Sequence, residues 1–454
     1  MKRDNTKNIQ KNKKDNCHRN NNYYSMDKRI SQRKETTKRR KSLSCKVFEI
    51  KVDKSHLSTK TTNHLKQIFI EAKWFYNYCL SLEDINNADT TAKSVPVKVA
   101  DTFEERYFTT LKSQMKQAIK TRIFNSLSAL SALKKKGYKV GRLKFKSRIE
   151  SVPLKQYKVT FDFDREHSRI RIQGIKPWIK VRGLEQIPTQ AEIANANLIY
   201  RCGDFYIHVT TFSEKESRII PEQAIGIDFG CQTQLTLSNG TKIEYQVSES
   251  QRLKRLSRRI DKKVNGKVGK NRQSKNRRKL QEQRRKEYDR LTNKKKDIHN
   301  KVVSAITKSY KYVCFQDESI HAWHAGNHGK KIQHSAIGGI IRDLKHKSHT
   351  PVMVDKFFPS TQLCPHCGCL NKLKMSDRVY KCDCGYSEDR DIKSAKCIEN
   401  EGLTMLKSCG SIPVDHRDFK LEENVSSTCF DLLTNINGIK VSKICSMSQE
   451  APLL

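Results

Sequence analysis

The sequence predicts a multidomain α+β protein in which a β-rich N-terminal half, interrupted by helices, precedes an α/β layer carrying a small cysteine-bearing insertion. Three observations predict it. Short β-like runs crowd residues 151–213, helical and strand-like segments alternate from residue 222 to residue 358, and two cysteine turns follow that alternation directly. At 454 residues the chain has room for two or three separate cores.

Residues 1–45 are rich in Asn, Lys and Arg and nearly free of aliphatic side chains, so too little apolar surface is available to offset the entropy of ordering. A disordered basic tail is expected, with Lys38-Arg39-Arg40-Lys41 read as an RNA-binding or solubilising arm, or as a nuclear import signal. Alternation over residues 46–52 predicts a strand. A helix follows from Ser58 or Thr59, and its stripe of Leu65, Ile68, Phe69, Ala72, Phe75, Tyr76, Cys79 and Leu80 faces a core. A second helix is expected over 101–136. Next, Gly141-Arg-Leu-Lys-Phe-Lys146 sets Lys144 and Lys146 among apolar residues on a strand or turn, a format that can hold a phosphate backbone. The runs 159–163, 170–172, 178–181 and 205–209 are expected to join residues 46–52 in a small basic barrel.

From Glu222 the pattern changes. Asp228 lies mid-strand in Ala224-Ile-Gly-Ile-Asp-Phe-Gly230, with Ile225, Ile227 and Phe229 on the opposite face and Gly226 and Gly230 leaving space beside it. Asn239-Gly240 is a hairpin turn signal. Residues 251–300 carry 21 Lys or Arg against five Asp or Glu, with Gly266 and Gly269 breaking the segment into a helical hairpin. So lopsided a balance repels itself unless a polyanion lies alongside, which makes Arg255, Arg258, Arg259, Arg277, Arg278, Arg284 and Arg285 candidate nucleic-acid contacts. Strand character returns at 311–320 and 352–358, around a helix at 333–345. Beyond about Gly402 periodicity fades.

The whole composition points the same way: 90 Lys and Arg against 48 Asp and Glu give a net charge of +42, which favours nucleic acid as partner. The fifteen cysteines are odd in number and no apolar signal segment opens the chain, so a reducing, intracellular setting is expected. That setting is cytoplasmic and nucleoid-associated, or nuclear in a eukaryotic host. No stretch approaches the roughly 18–20 apolar residues that span a bilayer, so no membrane partner is expected.

Two groups of residues carry chemistry. Cys364-Pro-His-Cys367 and Cys382-Asp-Cys384-Gly each aim two sulfurs at one point, the format of a tetrahedral four-thiolate zinc ribbon. The second pair is CxC, and Cys369 stands close enough to substitute as a ligand. Hydrolysis of a phosphodiester by two divalent ions needs carboxylates from different elements converging on ions about 3.5–4 Å apart, and oxygen ligands suit magnesium or manganese. Besides Asp228, the candidates are Asp317 and Glu318, which follow the apolar run Val313–Phe315, and Asp391. A period of two puts Gln316 and Glu318 on one face and Asp317 on the other. Asp389 reads as a helix cap, which leaves Asp391 free.

In this order, Gly226-Ile-Asp-Phe-Gly230, the strand ending Gln316-Asp-Glu318, Phe358-Pro-Ser-Thr-Gln-Leu-Cys364, the cysteine turns and Asp389-Arg-Asp391 resemble the TnpB (OrfB-type) family, transposon-associated RNA-guided DNA nucleases related to miniature type V CRISPR effectors and Fanzor proteins. The resemblance covers about residues 46–400. It implies an OB-like wedge barrel (46–57 and 137–221) with a helical recognition insert (58–136), and a RuvC nuclease domain of ribonuclease H-like fold (222–359 and 386–402). The latter contains the basic hairpin 250–309 and an inserted zinc ribbon (360–385), and a C-terminal tail covers 403–454. Asp228 matches the first catalytic acid and Asp391 the last. Many members carry Glu-Asp where this chain has Gln316-Asp317, so Glu318 is expected as the middle acid, with Asp317 the alternative. Lys393-Ser394-Ala395 stands where Asn-Ala-Ala is common. The implied cofactors are structural zinc and catalytic magnesium or manganese, and the implied partners a guide RNA and target double-stranded DNA. Two other readings compete: a guided DNA-binding regulator that no longer cuts, favoured by Gln316, and a transposase acting directly on element ends.

Overall fold

The computed structural model describes residues 31–32, 34–99, 101–215, 220–245, 247–262, 274–326, 329–374, 376–410, 433–434 and 439–443. They belong to two compact units, residues 1–217 and 218–454.

The first unit opens with a helix, α1 (34–42), where a disordered tail was expected. The helix is held because Arg39 and Arg40 both reach the Glu192 carboxylate, at 2.8 and 2.7 Å, while the Arg40 guanidinium also lies over the Phe212 ring. Strand β1 (Ser44–Val52) follows, then α2 (Thr59–Ser81), whose Ser58 side chain caps Thr61 N–H. The expected helix over 101–136 is shorter than its sequence suggested. Residues 94–107 form a hairpin, β2 (Ser94–Val99) and β3 (Thr102–Tyr107), and only Ser113–Lys135 is helical (α3). Val95, Val97, Val99, Thr102, Phe103 and Tyr107 are strand formers, and they outweigh the helical spacing.

The strands β4 (Ser151–Leu154), β5 (Phe161–Asp164), β6 (Arg169–Ile172), β7 (Ile179–Arg182), β8 (Glu192–Arg201) and β9 (Asp204–Ser213) complete an antiparallel seven-stranded sheet with β1, in the order β4-β8-β9-β1-β7-β6-β5. Among the described residues no ladder joins the end strands β4 and β5. Residues 141–146 lie in none of these strands. Instead Asn77 on α2 exchanges hydrogen bonds with the Lys146 backbone (2.8 and 3.0 Å), and the Lys146 ammonium sits 4.4 Å from the Tyr76 ring centre. One hydrophobic cluster runs from Ile50 and Leu65 through Met115 and Ile123 to Ile207, so α2, α3 and the sheet share a core. Buried Glu71 on α2 pins the approach to α3: its carboxylate accepts from the backbone N–H groups of Thr109, Thr110 and Leu111 and from the Thr109 hydroxyl.

The second unit is built on a six-stranded mixed sheet. Its strands are β10 (Ala224–Phe229), β11 (Leu235–Leu237), β12 (Thr241–Tyr245), β13 (Tyr312–Gln316), β14 (Thr350–Val354) and β17 (Ile439–Lys443), in the order β14-β13-β10-β11-β12-β17. The pairs β10·β13 and β13·β14 are parallel and the others antiparallel. Helices α4 (Gln251–Lys262) and α5 (Lys275–Ser309) lead from β12 to β13, and α6 (Ile320–Ala325), α7 (Gly329–Ser335) and α8 (Ile337–Lys347) from β13 to β14. The glycine break expected between α4 and α5 lies outside the described residues. Leu256, Ile260 and Leu280 pack the two helices together.

Strand alternation sorts the sheet's two faces. Ile225, Ile227, Val313 and Phe315 join Val302, Ile306, Ile340 and Leu344 of α5 and α8 in one core. On the other face Cys314, Val352 and Val354 pack against Ile398 and Leu406 of α9 (Arg390–Ser408). The cysteine turns lie between β14 and α9, with a small hairpin, β15 (Val379–Lys381) and β16 (Ser387–Asp389), on their second half. The tail expected from residue 403 begins later: α9 continues to Ser408, and β17 returns to extend the sheet beside β12.

Candidate active site and metal centre

Gly226 and Asp228 face α9. The glycine leaves no open space, contrary to the sequence expectation, because the helix fills it: a Cβ there would stand 2.0 Å from the Ala395 carbonyl oxygen and 2.8 Å from Glu399 Cβ. A Cβ at Gly230 would likewise meet the Thr233 carbonyl oxygen at 2.6 Å, in the turn that links β10 to β11. Gly226 thus allows α9 to seat directly against β10, and that seating brings the start of the helix to Asp228. At the start of the helix Asp389 is the cap, accepting from Asp391 and Ile392 N–H at 3.1 and 3.2 Å, and Lys242 of β12 neutralises it at 2.8 Å.

Asp228, half-buried, is pushed up to about 7, first by burial and then by the neighbouring carboxylates of Asp391 and Glu318; Arg390 and Lys393 oppose the shift only in part. Three acids from three elements therefore share one field. Glu318, also half-buried, is raised by burial and by Asp317 beside it. Asp317 is exposed. Gln316 is committed elsewhere: its amide nitrogen lies 3.1, 3.1 and 2.9 Å from the carbonyls of Asp355, Lys356 and Phe358.

Cys364, Cys367, Cys382 and Cys384 bring their sulfurs within 4.8 Å of one another, the only such group of three or more potential ligands among the described residues. The three acids are therefore more widely spread than the thiols. Two thiol pairs stand 3.8 and 3.5 Å apart, Cys364 with Cys384 and Cys367 with Cys382. Tetrahedral zinc bound at about 2.3 Å from each sulfur needs sulfur separations of about 3.8 Å, so the donor set fits that ion. Both turns close on a left-handed glycine, Gly368 at φ 75° and Gly385 at φ 91°. Cys369 uses its carbonyl to accept Cys364 N–H and lies outside the sulfur cluster, so the CxC spacing costs no ligand. Arg378 of the insertion donates to Gln232 in the β10–β11 turn (2.7 Å), bracing the cysteine module against the rim of the acidic site.

Of the candidate nucleic-acid contacts, Arg255, Arg258, Arg259, Arg278 and Arg285 are exposed on α4 and α5, and Arg277 and Arg284 are half-buried. In the first unit Lys144 and Lys146 are exposed and flank Phe145, itself 65 % exposed. Sequence reasoning noted Lys393 only as a departure, without its full burial, and missed the largely enclosed Glu399 carboxyl, which burial raises while Ser238 and Gly226 N–H bind it. Both lie on α9, and their enclosure depends on how that helix seats.

Comparison with known proteins finds similarity over several stretches of the chain. A model described as Cas12f1-like, TNB domain, matches residues 341–398, and one described as OrfB_IS605, probable transposase, matches residues 207–317. A "Putative RNA-guided DNA endonuclease" of Streptomyces pristinaespiralis is 29% identical over 196 residues, 41% of this chain and 47% of that protein. The "Putative RNA-guided DNA endonuclease InsQ" of Escherichia coli (strain K12) is 24% identical over 287 residues, 57% of this chain and 68% of that protein. The "TnpB-like protein L79" of Acanthamoeba polyphaga mimivirus is 27% identical over 210 residues, 43% of this chain and 35% of that protein. The matched stretch thus spans about half the length of the Streptomyces relative. A solved Cas12f1-sgRNA-target DNA complex aligns over 75% of this chain and 80% of that one, at 14% identity and a TM-score of 0.41. Of the two family models, the first runs from within α8 through β14 and the cysteine module to the start of α9, and the second runs from within β9 through β10–β13. Over these stretches the chain is similar to TnpB (OrfB-type) proteins.

Proposed function

We propose that the chain is an RNA-guided DNA endonuclease of the TnpB type, cutting target DNA in a RuvC domain of ribonuclease H-like fold. The observation that carries this reading is the approach of Asp391 and Glu318 to Asp228, acids drawn from a helix start, a strand exit and a mid-sheet strand. Numbered in chain order, the first five strands of the sheet run 3-2-1-4-5, with the first three antiparallel and the last two parallel to the first. That order supports the reading as a ribonuclease H-like domain, as does the position of Asp228 near the carboxyl end of the first strand.

The three carboxylates would hold magnesium or manganese, which supplies Lewis acidity at the attacking water and at the departing 3′ oxygen. Burial, and after it repulsion from Asp391 and Glu318, raises the Asp228 carboxyl to about 7, so cation binding there would displace a proton. Arg390 and Lys393 lie close enough to bias Asp228 toward its charged form. The four cysteines would hold zinc with no open coordination position, a bracing role and not a catalytic one. The exposed arginines of α4 and α5 would bind phosphates without reading sequence, leaving sequence choice to a guide RNA paired with the target strand. The reading as a silent DNA-binding regulator rested on Gln316; a Glu318 carboxylate whose charge acts on Asp228 favours cutting instead.

The test is cleavage by the full chain purified with its RNA. With magnesium present, the intact protein is expected to cut matching DNA, and Asp228→Asn is expected to bind it and leave it whole. Cutting that persists in Asp228→Asn, or that survives chelation of divalent ions, overturns the assignment.

A further inference from the structure

Gln316 and Lys393, two of the departures from the pattern of the family resemblance, end on the same residue, Ser360. From β13, the buried Gln316 amide nitrogen is shared among the carbonyls of Asp355, Lys356 and Phe358, and its oxygen accepts from Ser360 Oγ at 3.3 Å. From α9, the fully buried Lys393 Nζ donates to the carbonyls of Ser360 (2.9 Å) and Leu363 (3.1 Å) and stands 4.1 Å from the Tyr380 ring centre. Three partners use all that an ammonium can offer. Cys397, one turn further along α9, adds a thiol bond to the Leu363 carbonyl at 3.4 Å, and the Tyr380 hydroxyl donates to the neighbouring Gln362 carbonyl at 3.3 Å. Residues 355–363 form the strap that leads from β14 into Cys364, and donors from β13 and α9 hold its carbonyls. Glu318 follows the end of β13, two residues after Gln316, and α9 carries Asp391, two residues before Lys393.

The residue types matter. Glutamate at position 316 would direct a carboxylate at three carbonyl oxygens, with nothing to donate. Asparagine at 393 is too short to reach both Ser360 and Leu363. Burying an ammonium is costly, and where packing alone is needed an apolar side chain serves as well.

We infer that Gln316 and Lys393 are paired positioning residues that clamp the strap, so that filling of the four-cysteine site sets the placement of Glu318 and Asp391 for divalent-ion binding. The inference rests on the assignment of those acids under Proposed function.

The experiment measures two things in the full chain: the rate of zinc loss to a chromogenic chelator, and manganese affinity by paramagnetic resonance. Zinc-stripped protein that remains folded is expected to bind manganese about tenfold more weakly than zinc-loaded protein. Lys393→Met and Gln316→Glu should each speed zinc loss and weaken manganese binding by about the same factor, and Lys393→Arg should restore part of both. The double variant should be little worse than either single one, because both act through Ser360. If Lys393→Met does not fold, Lys393→Arg and the zinc-stripped protein decide. Manganese affinity within twofold across these proteins overturns the inference. Collapse of the whole second unit on zinc loss overturns it too, because zinc would then be a general requirement for folding. Zinc and manganese binding that remain coupled in a protein that cuts no DNA would leave this inference standing and refute the nuclease reading alone.

Discussion

Replacing Asp228 by asparagine should stabilise the metal-free protein at neutral and alkaline pH while removing its response to magnesium. The Asp228 carboxyl moves from 3.8 in the unfolded chain to about 7 in the folded one. Between those two values the folded state binds more protons than the unfolded state, so stability falls as pH rises through that window and levels off above it. At about 1.4 kcal/mol per tenfold change, the full shift corresponds to about 4 kcal/mol, and relaxation of a partly exposed site reduces the observable gain to about 1–3 kcal/mol. Asparagine keeps the shape and drops the charge. Thermal or urea unfolding of the two proteins in chelator, at about pH 5 and about pH 8, should therefore show a variant advantage that grows with pH. Magnesium should stabilise the parent and leave the variant unmoved. Equal stability of the two proteins at about pH 8, or equal magnesium stabilisation, would refute the reasoning.

The acid at the exit of β13 is tested by Glu318→Gln, expected to lower cleavage by at least about a hundredfold, against Asp317→Asn, expected to stay within about threefold. Single-turnover cleavage rates of the two variants decide. Glu71→Ala leaves three backbone N–H groups and the Thr109 hydroxyl without their acceptor and should cost about 3–5 kcal/mol in urea unfolding of the first unit. Burial raises the Glu71 carboxyl, but its hydrogen bonds outweigh that and hold it below 4.5, so its stabilisation is complete above 4.5 and lost as pH falls through the lower folded value. Replacing Arg255, Arg258 and Arg259 by alanine should flatten the salt dependence of nucleic-acid binding by about two to three in the log–log slope and weaken all sequences alike, as measured by filter binding across a salt series.

How much was legible in the sequence follows from how local each signal is. The cysteine turns could be read because spacing alone brings two sulfurs to one point, and Asp228 because a charge amid strand apolars is conspicuous. The choice of Glu318 over Asp317 came from strand period, and the half-burial of one and exposure of the other follow the same alternation. Space beside Gly226 was misread because only the tertiary fold shows that α9 occupies it. The helix expected over 101–112 failed where β-branched and aromatic residues favour a hairpin. Helix α1 was hidden because its order comes from Glu192, some 150 residues away in the chain. Strand β17 was hidden for a like reason, its partner β12 lying still further away in the chain. Lys393 looked like a simple departure from a pattern, and its burial between Ser360, Leu363 and Tyr380 depends on three segments meeting.

The central claim is that RNA bound to this chain chooses the DNA it cuts. The most direct measurement is to purify the chain with its native flanking DNA expressed, sequence the RNA retained through a high-salt wash, rewrite that RNA's variable segment, and map cleavage on two DNA substrates. The account predicts one abundant RNA and cleavage that moves to the substrate matching the rewritten segment. Cleavage that stays where it was, or proceeds without RNA, would contradict it.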